Sequence, residues 1–303
     1  MKYKQNSFLD ILIRKLAIKL KLIKGKQIVS IFSKNLIVDL DIPGISGTIF
    51  SQNYREIDHT NIYSKKLIDK EKILDLGANI GYYTLLASTE SKINSKIICI
   101  EPDPRNLKLL RENINYNNLN SKIEILEAAV TGENGKSIID ISGASNLSKV
   151  LDNKIKNKKI AEVKSVSLNY IFDSYGAFDC LRMDVEGAES IIIAKNSEKF
   201  LKSMPTKSII FMEIHPKSYI GGEKTMIKAM NNLYEYGFKK FEIVTSGTKQ
   251  DKKILKRLNN LLGTKYTEGR FNRFHYSNVE FEDAKYFVNQ IPKIIRYLIA
   301  EKK

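Results

Sequence analysis

The large apolar residues of this chain follow two different periods, and the change from one to the other sets the expected architecture. Toward the amino end, FLDILIRKLAIKLKLI has helical spacing, which puts Phe8, Leu9, Leu12, Leu16, Leu20 and Ile23 on one side of a predicted helix. IVSIFSKNLIVDLDI then alternates and runs into DIPGISG, so residues 25 to 70 read as short strands and turns. From Glu71 unbroken apolar runs take over. KILDLG, KIICIEPD, KIEILEAAV, FDCLRMDVEG and SIIFMEIHP show no alternation, as expected of parallel strands covered on both faces. Between them IGYYTLLAST, PRNLKLLRENINYNNL and ESIIIAKN read as helices, the second with Leu107, Leu110 and Ile114 on one face. GFKKFEIVTSG and RFHYSNVEF read as a closing antiparallel pair, and DAKYFVNQIPKIIRYLIAEKK as helix broken at Pro292.

Strands alternating with helices at this spacing predict an α/β fold with a doubly wound, mainly parallel sheet. The expected division is an extension over residues 1–70 and a domain over 71–303, with an insertion near 131–165. Within the insertion, Lys154 to Lys159 reads as a solvated basic loop. The composition, 43% hydrophobic and 28% charged, excludes wholesale disorder.

No apolar stretch approaches the ~20 residues a membrane-spanning helix needs. Arg14, Lys15, Lys19 and Lys21 interrupt the amino-terminal run, unlike the core of a secretion signal. A cytoplasmic location follows as the expectation, with residues 7–24 docking either on the domain or peripherally on a membrane. Cys99 and Cys180 lie in strand-like runs and read as small core residues in a reducing compartment. The three histidines and two cysteines assemble no zinc spacing. The formal net charge of +16 would attract phosphates or anionic lipid, but nine of the fifty basic residues are arginine, so the excess is a lysine bias.

The strongest local signal is Asp75-Leu-Gly77-Ala-Asn79-Ile-Gly81, between a strand and a helix. Glycines there let a ligand approach the backbone, and the helix start offers free N–H groups. The spacing is not that of the dinucleotide loop G-x-G-x-x-G. Asp75 would repel a pyrophosphate but favour a cationic ammonium, which S-adenosylmethionine carries. Glu101 ends the second strand, where a carboxylate can accept ribose hydroxyls, and Glu127-Ala128-Ala129 ends the third.

With DLGANIGYYTLLAS, ICIEPDPRNLKLLRENINYNN, LRMDVEGAE and FMEIHP in this order, the chain resembles the FkbM-type methyltransferases from about Tyr54 to Gly247. Asp184, Glu186, Gly187 and Glu189 match the most specific of those motifs; Arg182 stands where the family usually has lysine. The resemblance implies a Rossmann-like, seven-stranded sheet, mostly parallel with an antiparallel last strand. It also implies S-adenosylmethionine as cofactor, with Asp75, Gly77, Asn79 and Gly81 on the methionine side, Glu101 on the ribose, and Glu127, Ala128 and Ala129 framing the adenine.

Asp184 and Glu186 follow the fourth strand, and Glu213 and His215 end the fifth. The carboxyl edge of a parallel sheet is where a substrate reaches the cofactor. Methyl transfer to a hydroxyl requires loss of a proton, which a carboxylate or imidazole within reach can accept. Among these four, His215 has the unperturbed pKa nearest neutrality. Glu189 reads as a helix-capping or pairing residue. Asp184, Glu213 and His215 could also serve Mg²⁺ or Mn²⁺, although no metal is expected. The expected activity is O-methylation of a sugar, glycan or other small metabolite. The alternatives are a nucleic-acid methyltransferase, disfavoured by the acids after strand four, and a non-catalytic S-adenosylmethionine-binding module. The pattern says nothing of oligomeric state.

Overall fold

The computed structural model describes residues 2–145, 149–151, 159–246, 256–258, 260–261, 266–268, 273–291 and 295–303. The chain forms two compact units, residues 1–129 with 136–164, and residues 130–135 with 165–303.

In the first unit α1 (Phe8–Lys19) precedes the antiparallel pair β1 (Lys26–Ile31) and β2 (Lys34–Asp39), then α2 (Ser46–Gln52) and α3 (Ile57–Leu67). Next come β3 (Lys72–Leu76), α4 (Tyr82–Glu90), β4 (Lys96–Ile100), α5 (Pro104–Tyr116) and β5 (Ile123–Leu126). β4 pairs in parallel with β3 on one side and β5 on the other. Ile73, Leu74, Leu76, Ile97, Cys99 and Ile100 are buried, as their unbroken apolar runs require. Asp103 caps α5 by accepting the Arg105 N–H at 2.8 Å, with Pro104 at the first helical position where its missing N–H costs nothing. β6 (Ala129–Val130), β7 (Gly135–Asp140), β8 (Lys149–Leu151) and β9 (Ile160–Val166) follow, with β7 antiparallel to β8. Most of the lysine-rich stretch at 154–159 lies outside the described residues.

The second unit holds α6 (Leu168–Tyr175), β10 (Cys180–Met183), α7 (Glu189–Ala194), α8 (Glu198–Ser203), β11 (Ile209–Glu213) and α9 (Gly222–Glu235). β12 (Phe238–Thr245), β13 (Tyr266–Glu268), β14 (Arg273–Val279), α10 (Phe281–Val288) and β15 (Ile295–Lys302) complete it. The strand order across this unit is β13-β14-β12-β15-β11-β10. β10 and β11 are parallel, and β15, the last strand of the chain, is antiparallel to β11 and to β12. The fold class is α/β, Rossmann-like, with helices alternating along a mixed sheet.

The expected pair β12 and β14 is antiparallel. The tail, however, is not the expected helix from residue 295 onward. IRYLIAEK is a strand between β11 and β12, with Ile295, Tyr297, Leu298, Ile299 and Ala300 buried. A contiguous apolar run fits a buried strand as well as a helix, and burial between two strands decided it. Pro292 itself lies outside the described residues.

The reading of residues 25–70 as strands and turns holds for β1 and β2 and fails for α2 and α3. Thr60, Asn61 and Ser64 are poor helix formers, but α3 is buried from Asp58 to Ser64, and tertiary burial overrides propensity. The amino-terminal helix forms at Phe8–Lys19, with the Ser7 side chain accepting from Asp10 N–H, but none of its residues is buried. The segment before it is pinned: Asn61 Oδ1 accepts the Lys2 and Tyr3 N–H groups, each at 3.1 Å, and the buried Tyr3 ring meets Phe32 edge to face.

Candidate active site

In the first unit, the chain leaves β3 at Leu76 and turns through residues with positive φ: Gly77 (76°), Asn79 (53°) and Gly81 (95°). Glycine reaches this region freely, and Asn is among the side chains that tolerate it best. Gly81 is doubly constrained, because a Cβ there would sit 2.9 Å from Leu110 Cδ1 of α5. The Gly77 and Ala78 N–H groups both donate to the Ile100 carbonyl, at 3.0 and 3.1 Å, and Asn113 donates to the Ile80 carbonyl at 2.8 Å. These bonds fix the loop against the end of β4.

Glu101 sits at that end, 4% exposed. Its Oε2 accepts the Asn79 N–H at 2.8 Å; its Oε1 accepts the Asp103 N–H at 2.9 Å and Asn106 Nδ2 at 3.2 Å. Burial raises its pKa to about 7 despite these three bonds. Asp75 is buried and accepts Thr84 Oγ1 of α4 at 2.7 Å. Glu127 pairs with Arg111, while Ala128 and Ala129 are buried. A cleft of about 470 Å³ opens beside this strand end, lined among others by Pro102, Leu107, Arg111, Glu127 and Val163.

The second unit gathers the other four predicted residues. The turn after β10 places Glu186 (φ 51°) and Gly187 (φ 110°) in the left-handed region. A Cβ on Gly187 would run into the Ser218 carbonyl, so only glycine fits this approach. Glu189, wholly buried, organises the turn: its Oε2 accepts the Gly187 N–H at 2.8 Å, and its Oε1 accepts the His215 N–H at 2.9 Å and lies 3.1 Å from His215 Nδ1. The other ring nitrogen, Nε2, lies 3.5 Å from Glu213 Oε1 and 3.7 Å from Glu186 Oε2. Arg296 of β15 reaches Glu213 at 2.8 Å, and the buried Arg182 reaches Asp184 at 3.0 Å.

Burial alone would lower the His215 pKa, but hydrogen bonds to Glu189 and Glu213, with their charges, hold it up at about 11. His215 is therefore an imidazolium at neutral pH. Of the four, histidine has the unperturbed pKa nearest neutrality, but in these surroundings another group takes that place. That group is Glu186, raised to about 7 chiefly by burial, with the His215 charge pulling down and Asp184, Glu213 and Glu189 pushing up. The charge balance explains the coupling. Asp184, Glu189 and Glu213 face three cations, Arg182, Arg296 and His215, so an ionised Glu186 is the surplus anion. Its side chain is also the most exposed of the four carboxylates, at 26%.

Asp184, Glu186 and His215 bring one donor atom each within 4.8 Å of one another. The same side chains take part in ion pairs, Asp184 with Arg182 and Glu186 with His215. Glu189, read from the sequence as a helix residue, is the direct partner of His215. Arg296 carried no sequence signal, because nothing ties the tail to the end of β11 before the strands are paired.

The family profile described as Methyltransferase FkbM domain matches residues 75–240. No curated protein matches the chain. Among solved structures, a methyltransferase FkbM from Methylobacillus flagellatus KT is 16% identical with a TM-score of 0.38, covering 69% of this chain and 44% of that one. An O-methyltransferase from Bacillus cereus in complex with SAH is 11% identical with a TM-score of 0.42, covering 82% of each chain. M. jannaschii TYW2 in complex with AdoMet is 13% identical with a TM-score of 0.43, covering 93% of this chain and 88% of that one.

Proposed function

We infer, since this chain belongs to the FkbM family of methyltransferases, that it transfers a methyl group from S-adenosylmethionine to a hydroxyl of a sugar, glycan or other small metabolite. The observation that carries the reading is Glu186, a partly exposed carboxylate with a pKa of about 7 beside a fixed imidazolium.

The residues of the first unit fit the donor. Glu101 is a buried carboxylate whose three protein hydrogen bonds do not bring its pKa back to the usual range. Each carboxylate oxygen can accept about two bonds, so Oε2 has capacity for a further hydroxyl. A ribose hydroxyl there would stabilise the ionised form. Asp75, at the loop entrance, supplies negative charge for an ammonium. When bound, S-adenosylmethionine supplies the methyl group on a sulfonium, an electrophile that needs no further activation.

The chain's own work on the acceptor is proton removal and orientation. When the acceptor hydroxyl takes up the methyl group, its O–H proton would pass to the Glu186 carboxylate. Protonated Glu186 restores the balance of three anions and three cations, so the cluster favours the state after transfer. His215, anchored through Nδ1 by Glu189, holds its charge beside the base and is not itself the base. The acids at this edge suit hydrogen bonds to vicinal hydroxyls and disfavour a nucleic-acid backbone.

Transfer of labelled methyl from S-adenosylmethionine to fractionated sugars, glycans and hydroxylated metabolites, with RNA in parallel, tests the proposal. Glu186→Gln should lower turnover of the acceptor so found by about 10²–10⁴-fold, the usual worth of a general base, without changing affinity for S-adenosylhomocysteine. Wild-type turnover in this variant would remove Glu186 from the chemistry. Label appearing in RNA alone would overturn the acceptor class.

A further inference from the structure

Helix α1 is docked the wrong way round for a helix that belongs to the core. At about 100° per residue, Ile11, Arg14, Ala17 and Ile18 share one side, and these are its half-buried residues. Through this side α1 meets α2: Arg14 donates to the Phe50 carbonyl at 2.9 Å and stacks over the Phe50 ring, and Ile18 Cδ1 lies against Gly47. The opposite side carries Leu9, Leu12, Ile13, Leu16 and Leu20, each more than half exposed. An isolated exposed leucine needs no explanation, but a continuous stripe along a helix does. The helix thus meets the domain through α2, but the apolar stripe expected from the sequence is on the side left exposed.

The charges around the stripe indicate what covers it. Lys15, Lys19, Lys21 and Lys24 are exposed at its edge and just beyond its carboxyl end, and no ion pair involves them among the described residues. The single acid of the segment, Asp10, is hydrogen-bonded to Ser7 at the helix start. An apolar stripe bordered by lysines whose stems can lie along it is the pattern of a helix lying in the plane of an anionic lipid surface. A second copy of the chain fits less well, because a self-complementary pairing along the stripe would line up lysines of the same sign on both copies. Among the described residues no helix is long and apolar enough to cross a membrane, so the contact would be peripheral.

We propose that the outward face of α1 binds the surface of an anionic bilayer, with Leu9, Leu12, Leu16 and Leu20 entering the interface and Lys15, Lys19, Lys21 and Lys24 meeting lipid phosphates. This rests on α1 alone and not on the methyl-transfer reading. The test is co-sedimentation of the full chain with vesicles of phosphatidylcholine, with and without phosphatidylglycerol. Wild type should bind only the anionic vesicles, and added salt should weaken binding. Leu12→Glu with Leu16→Glu should reduce binding at least about tenfold while leaving the thermal melt unchanged, since both side chains point away from the protein. Lys15→Gln with Lys19→Gln should reduce it without altering the apolar face, and serves independently should the first variant fold poorly. Three results would each overturn the proposal: no binding of wild type to anionic vesicles, equal binding by both variants, or a dimer in sedimentation velocity that the leucine substitutions dissociate.

Discussion

His215 and Glu186 exchange roles once their surroundings are known. An isolated histidine is the side chain that titrates nearest neutrality, and an isolated glutamate is ionised there. Enclosed by Glu189 and Glu213, the imidazole keeps its proton to about pH 11, and burial brings the Glu186 carboxyl to about 7. If ionised Glu186 is the base, as proposed, turnover should fall as pH drops through about 7. His215→Ala removes the charge that lowers the Glu186 pKa, so the acid limb of its kcat profile should move to higher pH; an unmoved limb would mean that the group titrating in turnover is not coupled to His215. Asp184, Glu186, Glu213 and His215 were legible as a set because each follows an apolar run ending at the same edge of a parallel sheet. Glu189 was not, since an acid in the first turn of a helix has an ordinary explanation in the helix dipole. Its contact with His215 depends on a turn that only Gly187 permits.

At the scale of elements, the parallel strands were readable because two-sided burial writes unbroken apolar runs, and α5 because Asp103 and Pro104 mark its start. Two elements escaped for different reasons. α3 forms against the propensity of Thr60, Asn61 and Ser64 because burial on most sides outweighs it. β15 looked helical because IIRYLI has no diagnostic period, and its neighbours β11 and β12 lie far away in sequence. That placement has a consequence for stability. Removing residues 295–303 would leave β11 and β12 with unpaired edges and Glu213 without Arg296. The truncated chain should lose its cooperative thermal transition, as followed by circular dichroism. A cooperative melt near that of the full chain would contradict the central position of β15.

For the molecule as a whole, the charge of +16 proved a poor guide taken as a sum and an informative one once located. Lysines border the outward face of α1, while carboxylates crowd the edge formed by β10 and β11. In the proposed function, Asp75, the glycine loop and Glu101 of the first unit are assigned to the methyl donor, and Glu186 with its ion pairs in the second unit to the acceptor. This division can be tested without knowing the acceptor, by isothermal titration of wild type, Glu101→Ala and Glu186→Gln with S-adenosylhomocysteine. Wild type should bind, and Glu186→Gln should bind as tightly. Glu101→Ala should lose about 2–3 kcal/mol, the worth of hydrogen bonds to a buried charge, or roughly 30- to 150-fold in affinity. No binding by wild type, or equal affinity in Glu101→Ala, would contradict the account.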